Sequence, residues 1–207
     1  MKKIIAIIMM LTMIMSFVGC SQTDSVKTTK LKNQIAIREL NEDEKNMLTA
    51  FDLDGKSALY DFNTPKDAKS ITIYVETLNE NNEWEQEEII TTELDAAMSP
   101  EAKSMNGNIS FIFNRDHSFK FTLMPGDGSK IALESTVPEY DGRIFITGSA
   151  LLSEIKDITL GEKIVLAIES NSLENKMKAC AVSDYYNLEN ITKNCKMLLR
   201  AVTVVFN

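Results

Sequence analysis

Asn108–Leu123 reads NISFIFNRDHSFKFTL. Ile109, Phe111 and Phe113 fall on alternate positions, Asn114-Arg115-Asp116-His117 is polar, and Phe119, Phe121 and Leu123 resume the alternation. A period of two places these six apolar side chains on one face of two strands. Two such runs joined by a short polar turn predict an antiparallel hairpin with one buried face.

The same period recurs to either side. Ser57–Phe62 alternates Ala58, Tyr60 and Phe62, and Ser70–Leu78 sets Ile71, Ile73 and Val75 against Thr72, Tyr74 and Glu76. After the turn Asn79-Glu80-Asn81-Asn82, Glu83–Thr92 returns as a hairpin partner; five acids lie between Glu80 and Glu88, so one face of this hairpin is expected to stay in water. Downstream, Pro125-Gly126-Asp127-Gly128 is a strong turn before a strand over Lys130–Thr136, and Asp141-Gly142 is a tight-hairpin dipeptide leading into Arg143–Thr147. Lys163–Glu169 alternates Ile164, Leu166 and Ile168, and Leu198–Phe206 carries Val202, Val204 and Phe206 as an inward row.

Two short helices interrupt the strands. Asn41–Phe51 has an Asn cap, Glu44 three residues later and acids in the first turn, with Leu40, Leu48 and Phe51 as an apolar stripe for docking. Asp95–Ser104 has helical character around Ser99-Pro100. The pattern predicts an all-β chain, mainly an antiparallel sandwich or a barrel, with one or two short helices. One domain is expected over residues 34–207. A parallel doubly wound sheet is excluded because its crossover helices are missing.

The 207 residues carry 22 basic and 30 acidic side chains, a formal net charge of −8. Nucleic-acid binding is not expected, since phosphate neutralisation needs clustered Lys and Arg. One histidine and three cysteines leave little for a many-ligand metal site, and no cofactor is expected.

Residues 1–20 carry the most specific motif. Lys2 and Lys3 precede an apolar run that closes on Ser16-Phe17-Val18-Gly19-Cys20, the charged, apolar and cleavage-site order of a secretory signal peptide. The run is shorter than the ~20 residues that span a bilayer as a helix. A small residue before cysteine resembles the bacterial lipobox, which departs here only at Phe17, where leucine is usual. The resemblance implies that 1–19 is a cleaved lipoprotein signal peptide and that the Cys20 thiol is lipidated. Residues 20–33 then form the lipidated N-terminus and a flexible spacer. Lys2 and Lys3 leave with the signal and no acid does, so the exported body is more acidic than the whole chain. Anionic lipid repels such a body, and the anchor must hold through its acyl chains.

Few residues point to chemistry. His117 would have to serve any Ser-His-Asp or Cys-His system, but it sits in a predicted turn, where polar residues are favoured for local reasons. Cys180 and Cys195 form either a disulfide, worth about 3 kcal/mol on the chain-entropy model, or two buried thiols. Asp52-Leu53-Asp54-Gly55 fits the middle of a calcium loop but fails at both ends, with Ala50 at the first position and Asp61 at the twelfth. Trp84 reads as cover for the core edge or as a stacking platform for a sugar, and Tyr185-Tyr186 carry the same two readings. Phosphate-loop, HExxH and GxSxG motifs do not occur.

Residues 39–84, with ELNEDEKNML, ALYDFNTPKDAKSITIYVETLN and NEW, resemble lipoproteins of Gram-positive bacteria, particularly clostridia-like Firmicutes. The resemblance implies export and architecture, and brings no activity or functional residue. The sequence therefore predicts an extracytoplasmic lipoprotein held on the cell membrane by its anchor, acting as a non-enzymatic binding or interaction module of the envelope. The alternative from another class is an envelope carbohydrate-active hydrolase using a carboxylate pair.

Overall fold

The alternation of NISFIFNRDHSFKFTL becomes the pleat of one sheet in a computed structural model of the chain. The structure describes residues 31–93, 105–114, 116–126, 130–135, 146–174, 180–188 and 197–207. All belong to the larger of two compact units, Leu31–Asn207. In chain order the strands begin with β1 (Gln34–Ile37), β2 (Ser57–Asn63), β3 (Ser70–Leu78) and β4 (Trp84–Glu93). They continue with β5 (Asn106–Phe113), β6 (Phe119–Pro125), β7 (Ile131–Glu134) and β8 (Ile146–Leu151), and end with β9 (Lys156–Asp157), β10 (Lys163–Ser172) and β11 (Met197–Phe206).

Every pairing is antiparallel. One sheet has the order β7-β6-β5-β2-β1-β9 and the other β4-β3-β11-β10-β8. Both orders are open, so the architecture is a sandwich, and the barrel alternative falls because neither sheet closes on itself.

The alternating rows meet between the sheets. Tyr60, Ile109, Phe111, Phe119, Phe121 and Leu123 from the first face Ile71, Ile73, Val75, Val202, Val204 and Phe206 from the second, all fully or almost fully buried. Phe62 and Phe206 touch across the interface with ring centroids 5.4 Å apart. A buried polar bond ties the layers at their centre: the Tyr60 hydroxyl donates to the Leu166 carbonyl at 2.8 Å, with the Leu152 carbonyl at 3.2 Å. Burial pushes the Tyr60 phenol above its ordinary range.

Helix α1 (Glu42–Ala50) forms as its caps dictate. The Asn41 side chain accepts from the Glu44 N–H at 2.9 Å, and the Glu44 carboxylate accepts from the Asn41 N–H at 2.8 Å. Its apolar stripe does not dock as expected: Leu40 and Leu48 are half-buried, while Phe51 is 69 % exposed. The helix is held by its caps and by the Leu53 N–H bond to the Leu48 carbonyl at 2.8 Å, not by a buried face.

The short strands β1 and β9 lack enough alternation to be read from sequence, and they extend the first sheet beside β2. Asp95–Ser104, Asp127-Gly128 and Asp141-Gly142 lie outside the described residues, as do residues 1–30 with the signal peptide and Cys20. No helix among the described residues is long and apolar enough to cross a membrane.

Phe111→Ala should cost about 3–5 kcal/mol in urea unfolding, because it empties the centre of the aromatic row. Tyr60→Phe should cost only about 1 kcal/mol, since the Leu166 carbonyl keeps the Leu152 N–H at 2.8 Å. Equal losses would show that the cross-sheet bond had been misjudged.

Candidate functional site

Strand β10 is buried on both faces. Its pairing with β11 shifts register between Val165 and Ala167, so Leu166 is an extra residue. Ile164, Leu166 and Ala167 join the sandwich core, while Val165 and Ile168 join Ala201 in a second apolar cluster on the outside of the sheet. Trp84, Cys180, Val182 and Tyr185 pack over that second cluster. Three of them come from the segment around a short 3-10 helix, Val182–Tyr186. Its first turn is fixed by the Ala181 N–H, which donates to Asp184 Oδ2 at 2.8 Å.

This cover encloses a carboxylate. Glu76 has no exposed side-chain surface, although its outward phase on β3 made water the expected neighbour. Its Oε1 meets Lys163 Nζ at 2.6 Å and accepts from Thr203 Oγ1 at 2.9 Å and Gln86 Nε2 at 3.0 Å. Its Oε2 accepts from the Tyr185 hydroxyl at 2.5 Å. One cation and three neutral donors satisfy the charge where solvent is excluded. Lys163 Nζ also donates to the Tyr185 oxygen at 3.1 Å. Burial first, and then the hydrogen bond to Glu76, push the Tyr185 phenol far above its ordinary value. Tyr185 therefore keeps its proton and donates it to the bond with Glu76, while its oxygen accepts from Lys163.

The Tyr185 ring stacks on Trp84 at 4.8 Å and 16°, and Trp84 Nε1 donates to the Tyr185 carbonyl at 3.2 Å. The Trp84 ring thus covers the second apolar cluster instead of the core edge or an open sugar platform. Tyr186 meets Tyr185 edge-on at 5.0 Å and is itself 69 % exposed.

Beside this cap lies an open cleft of about 740 Å³, inside the 300–1,000 Å³ range of ligand sites. Leu151, Ile164, Val165 and Val182 form its apolar part, and Glu154, Lys156, Asp157, Glu162, Lys163 and Tyr186 its polar part. Lys156 is bound to Glu154 at 2.7 Å. The cleft acids carry no sequence signature, because a charge in a loop or on an exposed two-residue edge strand is ordinary.

The remaining sequence candidates lie elsewhere. His117 is in the β5–β6 turn at φ 67°, where its carbonyl accepts from the Arg200 guanidinium; burial lowers its imidazole pKa. Asp52 pairs with Lys56 at 2.6 Å, and Gly55 turns the chain at φ 67°. No group of three or more His, Cys, Asp or Glu among the described residues could hold a metal ion. Cys180 packs under the cap, and Cys195 lies outside the described residues.

Sequence reading missed a second buried charge cluster. Glu169 and Arg200 are cross-strand partners on the inward phase, and the Arg200 guanidinium lies 4.4 Å from the Phe119 ring centroid. Burial raises the Glu169 pKa, opposed by the Asn171 amide bond and by Arg200. Glu76 pairs in register with Ala201, and Arg200 is the next residue along, so Glu76 and Glu169 face opposite sides of the sheet.

A family model, the YgaN domain, matches residues 34–202. The chain belongs to the YgaN domain family. The YgaN match begins at the first residue of β1 and takes in Glu76, Trp84, Lys163, Tyr185 and the whole cleft; Thr203 falls just past its end. No curated protein and no solved structure matches the chain.

Lys163→Met should destabilise this YgaN domain by about 3 kcal/mol, because it strands a buried carboxylate. The double variant Glu76→Met/Lys163→Met should recover part of that loss in a denaturation cycle. Alkali gives a second check. Tyr60 and Tyr185 have folded pKa values raised above the ordinary 10.0, so the unfolded chain releases those protons first. Stability should be intact below pH 10 and fall as pH rises above it. Tyr185→Phe should flatten that fall, read by thermal melts between pH 8 and 12; an unchanged slope would count against the buried phenol.

Proposed function

We propose that the chain is a lipid-anchored, extracytoplasmic binding module of the cell envelope, with the cleft beside the Trp84–Tyr185 cap as its binding site. The cleft is the observation that carries the reading: it joins an apolar floor to a charged rim and an exposed tyrosine. Gly19-Cys20 at the end of a charged and apolar leader supports the anchor, as does the likeness of residues 39–84 to Gram-positive lipoproteins.

The hydrolase alternative needs two carboxylates roughly 5–9.5 Å apart across a substrate. The two buried acids among the described residues, Glu76 and Glu169, do not meet that need, because they face opposite sides of one sheet. Glu76 is moreover saturated by four partners. The binding reading is the better supported of the two.

Mass spectrometry of protein extracted from membranes should find a chain that starts at Cys20 and carries a diacylglyceryl group. Cys20→Ala should lose that mass and leave the membrane fraction. An unmodified wild-type chain starting at Met1 and recovered in the cytosol would contradict the anchor.

A further inference from the structure

The cleft owes its shape to a strand that leaves its sheet early. β8 pairs with β10 from Ile146↔Ser172 to Leu151↔Ala167, and the Leu152 N–H then reaches the Leu166 carbonyl at 2.8 Å. Beyond Leu152 the chain departs and joins the other sheet as β9, paired with β1. Lys163, Ile164 and Val165 pair with Val205, Val204 and Thr203 of β11 on one side. Among the described residues, no strand pairs with them on the other side. A strand flanked on one side only presents N–H and C=O groups from about every second residue to the open side. The three residues form one wall of the cleft, Ser153, Glu154, Lys156 and Asp157 contribute a second, and residues 180–183 with Tyr186 also line it.

The rim states what kind of strand would fit. Lys156 is engaged by Glu154 at 2.7 Å and Lys163 by Glu76 at 2.6 Å. Asp157, which accepts from the Gln34 amide at 2.9 Å, and Glu162 are then the rim charges that neither lysine offsets. Tyr186, 69 % exposed, adds apolar surface to the same opening.

Resting on the reading of the cleft as a binding site, we propose that it takes an extended peptide segment bearing lysine or arginine. The segment adds as an extra strand along the edge of β10 at Lys163–Val165. Three residues of edge span about 10 Å, so the bound core is three or four residues long. Backbone hydrogen bonds supply the register, Asp157 and Glu162 select basic side chains, and the apolar floor receives alternate side chains between them.

The test uses the full-length chain in detergent micelles and the peptide acetyl-Lys-Val-Thr-Val-Lys-amide, titrated by calorimetry. Controls are the analogue with Glu at both ends and two forms N-methylated on alternate residues, one for each edge of the strand. The basic peptide should bind. The acidic analogue should bind at least tenfold more weakly, and one N-methylated form, but not the other, should lose at least tenfold in affinity. Asp157→Lys/Glu162→Lys should weaken the basic peptide at least tenfold while melting as the parent does. Equal binding of both N-methylated forms would overturn strand addition while leaving the cleft a binding site. Indifference to the charge reversals, no binding of any peptide, or a sedimenting dimer that competes with the peptide would also overturn it. Lipidation of Cys20 is read separately by mass, so a failure here is distinguishable from a failure of the anchor.

Discussion

β10 is buried on both faces, and much of the rest follows from that constraint. A strand of a two-layer sandwich ordinarily packs one face and wets the other. Here Val165 and Ile168 carry apolar side chains outward, and Ala201 on β11 extends the same patch. Something must cover them, and the segment around Val182–Tyr186 does so together with Trp84.

Covering that patch has an electrostatic consequence. Glu76 sits on the same outer face, so it is buried with the patch. A buried carboxylate is tolerable only when paired and hydrogen-bonded. Lys163 supplies the charge, while Tyr185, Thr203 and Gln86 supply the bonds. Tyr185 thus has two jobs, stacking on Trp84 with its ring and donating to Glu76 with its hydroxyl. Placing the lysine on the first residue of β10 also draws it to the mouth of the cleft. Cap, ion pair and cleft are one construction.

The sandwich was legible in the sequence because its strands alternate cleanly. Ile109/Phe111/Phe113, Phe119/Phe121/Leu123 and Val202/Val204/Phe206 all point inward as their period requires. The capping box at Asn41 and Glu44 was equally plain, being a local pattern. Phe51 was misread because a stripe on a nine-residue helix says that burial is available, not that it happens. The site was less legible. Trp84 and Tyr185 stood out by residue type, but their stacking joins residues 101 positions apart. Glu76 looked like a wet strand residue, and only tertiary cover changes that. The bulge at Leu166, which keeps Ala167 inward beside Leu166 and sends Ile168 outward, breaks the period without a marking glycine or proline.

The measurement that bears most directly on this construction is native-state hydrogen exchange on the full-length chain with and without Tyr185→Ala. Loss of the cap should speed exchange at Val165, Ile168 and Ala201 by tenfold or more, while Phe111 and Phe121, deep between the sheets, keep their protection. Uniform acceleration across both sheets, or no change at β10, would contradict the claim that the cap is what closes the outer face of this strand.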